Sequence, residues 1–123
     1  MSFMQKLSGN SVEIHPDKVD EKFKRILTSD EEIKFAFKSF RDYIVLTNKR
    51  LILSDVQGVT GSKVEYVNIP YHKISCFSLE AAGTVDLDVD FKIWVSGYGV
   101  IEKTIARGVN VTEVSKILAA YIC

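Results

Sequence analysis

The chain has 123 residues, 46% hydrophobic and 26% charged, with 16 Lys plus Arg set against 16 Asp plus Glu. That length suits a single domain able to bury a core without disulfides or metal, and the balanced charge excludes the basic surplus expected of a nucleic-acid binder. No apolar run approaches the roughly 20 residues of a membrane-spanning helix, and Met1 to Asn10 lack the apolar centre of a secretion signal, so the sequence reads as cytoplasmic.

In chain order, the first periodic signal is Val19, Phe23, Ile26 and Leu27, at i, i+4, i+7 and i+8 after Pro16. This spacing predicts an amphipathic helix from about Pro16 to Leu27, closed by Thr28-Ser29-Asp30. Residues 1–31 thus form an N-terminal segment carrying a helix. Residues 32–123 form the main β unit and a C-terminal helix, the whole making one domain.

Strands follow. Ile33, Phe35 and Phe37 alternate with Lys34, Ala36 and Lys38, which predicts a strand over Ile33 to Ser39. Tyr43 to Leu46 and Leu51 to Leu53 are apolar runs joined by Thr47-Asn48-Lys49-Arg50, a β-hairpin signal. Its neighbouring residues, which point to opposite faces, are all apolar. Both faces of this ribbon therefore need cover, one from the core and one from another segment or another chain. Further strands are expected over Lys63 to Ile69, Ile74 to Glu80, Leu87 to Val95 and Val100 to Ala106, with Pro70 ending the first of these. In the third, Leu87, Val89, Phe91, Ile93 and Val95 alternate with Asp86, Asp88, Asp90, Lys92 and Trp94. Asn110 and Glu113 can form a capping box. Val114, Ile117, Leu118 and Tyr121 then line one face of a helix that plugs the open end of the strands.

Little catalytic chemistry is legible. Asp86, Asp88 and Asp90 share one strand face, but residues two apart on a strand are separated by about 7 Å and do not converge on one cation. His15 and His72 lack ligand spacing, and Gly58 to Lys63 departs from a phosphate loop and leads into a strand. Cys76 and Cys123 read as a reduced buried thiol and a terminal thiol. No catalytic residue, metal site or cofactor is expected, and the chain is taken as non-enzymatic.

The run from Phe37 to Val95 resembles the bacterial pleckstrin-homology-like family. The resemblance is carried by Arg41-Asp42, Leu46-Thr47-Asn48-Lys49-Arg50-Leu51-Ile52, Gln57-Gly58-Val59-Thr60-Gly61-Ser62-Lys63, Ile69-Pro70-Tyr71, Phe77 to Thr84 and Asp86-Leu87-Asp88. It implies a mainly β fold: a barrel of about seven antiparallel strands in two near-orthogonal sheets, with a C-terminal capping helix and the N-terminal helix added. It also implies self-assembly into rings, commonly of about five or more subunits.

Two functional readings follow. In the first, the chain is a self-assembling protein-interaction module whose interface includes Tyr43, Ile44, Leu46 and Ile52 on the two-faced ribbon, with Trp94 as a further anchor. In the second, it binds an anionic ligand or a membrane surface through Lys34, Lys38 and Arg41. The short corner at Phe40 to Asp42 makes a poor phosphate basin, so a lipid partner has no support in the sequence.

Overall fold

The computed structural model describes residues 14–15, 18–19, 21–39, 42–58, 60–61, 63–81, 89–105 and 111–123. Its elements are helix α1 (Glu21–Arg25), strands β1 (Ile33–Ser39), β2 (Asp42–Thr47), β3 (Arg50–Gln57) and β4 (Lys63–Pro70), and a 3₁₀ turn (Tyr71–Lys73). Strands β5 (Ile74–Ala81), β6 (Val89–Val95) and β7 (Gly99–Ile105) and helix α2 (Val111–Ile122) complete it. The strands form two antiparallel meanders, β1-β2-β3-β4 and β5-β6-β7. Among the described residues no ladder joins the sheets, so they form an open sandwich rather than a closed barrel.

The main core lies between the sheets. Phe37, Ile44, Leu46, Leu51 and Leu53 from the first sheet meet Phe91, Ile93 and Ile105 from the second, all essentially without exposure. The expected alternation on β6 is present: Val89, Phe91 and Ile93 are buried, while Asp90, Lys92 and Trp94 are partly open. Helix α2 closes the sandwich with Val114 and Leu118 fully buried, and Tyr121 stacks on Tyr71 with ring centroids 5.0 Å apart. The proposed cap at Asn110 and the aspartates Asp86 and Asp88 lie outside the described residues.

A smaller second core lies on the other side of the first sheet. Val19 and Phe23 cover Ala36, Val45 and Ile52, with Leu27, Ile33, Tyr43 and Tyr66 packed around them. The apolar stripe of the N-terminal segment is thus used, but its regular helix is much shorter than the spacing predicts. Ile26 N–H donates to the Phe23 carbonyl at 3.2 Å and Leu27 N–H to the Lys24 carbonyl at 3.4 Å. These i to i+3 bonds tighten the last turn out of α geometry. The tightening leaves Ile26 38% exposed, away from the stripe it was expected to join.

Candidate functional site

Strand register sets out what each sheet shows on its outer side. On the first sheet, Ala36, Val45, Ile52 and Asn68 form one row across all the strands. The next row on the same face is Lys38, Tyr43, Ser54 and Tyr66. Its middle pair is fixed by the Tyr43 N–H donating to Ser54 Oγ at 2.7 Å. Phe23 sits above both rows. Its ring meets Tyr43 edge-on at 5.4 Å and Tyr66 at 5.3 Å, an arrangement that adds to simple burial.

This geometry answers the question raised by the two-faced ribbon. Ile44 and Leu46 lie in the main core and Ile52 lies under Phe23, each with 0% exposure in the single chain. The second cover is the chain's own N-terminal helix. These three side chains offer no surface to another copy, and of the ribbon residues singled out only Tyr43 is partly open.

The cations of the second reading are not gathered into a basin. Lys34 is tied to Glu32 at 2.6 Å, Lys38 holds its ammonium 5.4 Å from the centre of the Tyr43 ring, and Arg41 lies outside the described residues. Lys49 reaches Asp30 at 3.0 Å. Mutual hydrogen bonding with Lys34 holds the Glu32 carboxyl below the usual range and the lysine above its own; both are solvated, and such pairs contribute little to stability.

A polar network that sequence spacing does not reveal secures the turn of the hairpin. Arg50 grips Glu31 through Nε to Oε2 and Nη2 to Oε1, each at 2.9 Å. Thr47 Oγ1 donates to Glu31 Oε2 at 2.5 Å and Thr28 N–H to Oε1 at 3.1 Å. Burial pushes the Glu31 carboxyl up, but the hydrogen bonds from Arg50, Thr47 and Thr28, with the Arg50 charge, outweigh it and hold the group below the usual range. Arg50 also donates to the Ile26 carbonyl at 2.6 Å and to Asn68 Oδ1 at 3.1 Å. Asn48 adds a second tie, accepting from Glu32 N–H at 2.7 Å. The Thr47-Asn48-Lys49-Arg50 stretch therefore fastens the N-terminal segment onto the sheet. A carboxylate so saturated with donors is a structural anion rather than a general base. Tyr71, whose phenol is pushed up by burial, closes the same corner by donating to the Thr47 carbonyl at 2.6 Å.

The outer face of the second sheet is different. Cys76, Trp94 and Val100 align in one cross-strand row. Trp94 is half-buried, while Val100 is 53% exposed and Tyr98, in the adjoining turn, 65%. Cys76 is exposed, not the buried thiol that its apolar strand suggests. The cause is a register irregularity between Ile74 and Cys76, which places Cys76 opposite Trp94 on the outer side while Ile74 stays in the core.

Among the described residues there is no cluster of three or more metal-ligating side chains and no helix long and apolar enough to cross a membrane. Asp90, the described member of the aspartate row, accepts from Thr104 Oγ1 at 3.3 Å.

Comparison with known proteins agrees with this architecture. The family model described as bacterial PH domain matches residues 2–122. YjqA, an uncharacterised protein of Bacillus subtilis (strain 168), is 43% identical over 122 residues, covering 98% of both chains. A crystal structure of a DUF1696 family protein with a pleckstrin-homology domain from Shewanella loihica PV-4 superposes with a TM-score of 0.80 at 38% identity, covering 93% of this chain and 98% of that one. A pleckstrin homology domain from Shewanella amazonensis SB2B gives 0.77 at 42% identity, with 99% of both chains covered.

Proposed function

The chain belongs to the bacterial PH domain family, and we propose that it is a non-enzymatic protein-interaction module that self-assembles, with Trp94 at the contact. The observation that carries this reading is the Cys76–Trp94–Val100 row on the outer side of the second sheet, extended by Tyr98. Aromatic side chains with apolar neighbours on a partly open face are the usual anchors of protein contacts. Among the described residues the first sheet shows no comparable surface, because helix α1 takes its outer apolar row. A ring is the closed form expected if the row meets a different surface of the next copy, and a two-fold dimer is expected if it meets itself.

The non-enzymatic part of the reading is supported by the use made of the polar groups. The buried carboxyl, Glu31, is enclosed by its own donors, and the strongly shifted phenol, Tyr71, is bonded to backbone.

Light scattering on the purified chain at micromolar concentration tests assembly. The expected mass is a multiple of the single chain, falling toward one chain in Val100→Asp and Trp94→Lys, with the circular dichroism of the folded protein retained. A wild-type chain that stays monomeric defeats the proposal. An assembly of unchanged mass in both variants moves the contact to another surface.

A further inference from the structure

Beyond assembly, we infer that the outer side of the first sheet carries a binding site for a small anionic ligand, an oxyanion group borne on a compact aromatic body. The site is a cavity of about 280 Å³ beside helix α1, lined in part by Phe23, Lys38, Tyr43, Ser54, Val64 and Tyr66. Two features give it its chemistry.

The first is Ser54. Its residue is 1% exposed yet lines the cavity. Its Oγ accepts from the Tyr43 N–H, and among the described contacts its own proton is donated to nothing. A buried hydroxyl normally donates as well as accepts, so this proton is available to an acceptor inside the cavity. The second is Lys38. Among the described residues no carboxylate lies within ion-pair distance of it, and its ammonium rests over the Tyr43 ring at the cavity's edge. The neighbouring acid, Asp42, is already engaged: its carboxylate accepts from the Val56 N–H at 2.8 Å and from Lys103 Nζ at 3.2 Å. A donor at the floor and a cation at the mouth select an anionic oxygen group.

The walls select the remainder of the ligand. Phe23, Tyr43 and Tyr66 present rings, and Val64 closes one side. At about 280 Å³ the cavity has room for more than a lone phosphate. A ring-sized body carrying a phosphate or carboxylate uses both the walls and the donors. Sequence reasoning singled out Lys38 for an anion but grouped it with Lys34 and Arg41. The partners it has here come from β2, β3, β4 and α1.

Phenyl phosphate is the probe, titrated into the full ¹⁵N-labelled chain at low salt and followed by amide shifts. Saturable shifts centred on Lys38, Tyr43, Ser54 and Tyr66 are expected, with affinity about tenfold weaker for Lys38→Met and for Ser54→Ala. Inorganic phosphate, which leaves the rings unused, is expected to bind more weakly than phenyl phosphate. Val64→Phe, which fills the cavity from its half-buried side, is expected to abolish the response while keeping the fold. Vesicles of phosphatidylcholine with and without phosphatidic acid identify the source. Lys38- and Ser54-dependent binding to the acidic vesicles assigns the anion to a lipid headgroup, and its absence assigns it to a soluble ligand. No saturable shifts up to about 10 mM phenyl phosphate, or affinity unchanged in Lys38→Met, Ser54→Ala and Val64→Phe, overturns the site.

Discussion

The two sheets have outer sides of opposite character. On the first, Ala36, Val45 and Ile52 are fully buried beneath Val19 and Phe23. On the second, Cys76 and Val100 are open and Trp94 is half-open, with no helix over them among the described residues. The first sheet reads in sequence as the one needing a partner, and the chain itself supplies it. The second reads as a cleanly alternating strand with a wet face, yet its wet face holds the apolar row. An excess of apolar residues in a strand therefore reports that cover exists, and not whether the cover is intramolecular.

Substitutions that act differently on the two sides sharpen this contrast. The largest effect is expected for Ile52→Glu, which takes a charge into the smaller core and costs more than about 4 kcal/mol. Urea unfolding should find the chain largely unfolded, and a well-folded variant of native stability would show that the first sheet's cover is loose. Phe23→Ala comes next, at about 3 to 4 kcal/mol, since a wholly buried ring is removed from between Tyr43 and Tyr66. Increased binding of a hydrophobic dye should accompany it.

Arg50→Met is expected to cost about 3 kcal/mol, because it leaves the Glu31 carboxylate, with no side-chain exposure, without its ion partner. The same pair predicts a pH dependence. The Glu31 carboxyl is held lower in the folded chain than in the unfolded one, where it titrates near about 4.3. Its contribution is complete above that value and is lost as the pH falls through the folded value. Urea midpoints should therefore decline on acidification below about pH 4, and Glu31→Gln should flatten that part of the curve. The smallest effect on stability belongs to Val100→Asp, within about 0.5 kcal/mol, although it should change the assembled mass. A large loss of stability there would show that Val100 is packed rather than open.

Much of the fold was legible from residue spacing. The strand at β1, the alternation in β6, the two runs of the hairpin and the helical face of α2 each correspond to an observed element. In β1, however, a register shift between Ile33 and Phe35 turns Ile33 to the outer core, away from Phe35 and Phe37. The stretch Thr47 to Arg50 was marked by its family resemblance, though the task of those residues was not visible. Glu31 and Arg50 lie 19 residues apart, and no local period links an acid before the first strand to a base after the hairpin turn. Cys76 was read as buried from the apolar character of its strand, and the structure instead places it on the outer face opposite Trp94, beside a register irregularity at Ile74. Of the anion site inferred above, the sequence marked only Lys38, grouped with Lys34 and Arg41, since the other lining residues belong to separate strands and to α1.

Sequence alone established which segments become strands and helices, and that the Tyr43 to Leu53 ribbon is covered on both sides, because backbone periodicity and apolar demand are local properties. The tertiary structure decided what does the covering, which face Cys76 occupies, and which side chains share the Lys38–Tyr43–Ser54–Tyr66 row. Apolar burial has no preferred partner, and only strand register and the docking of α1 select one contact from the many that the same residues would accept.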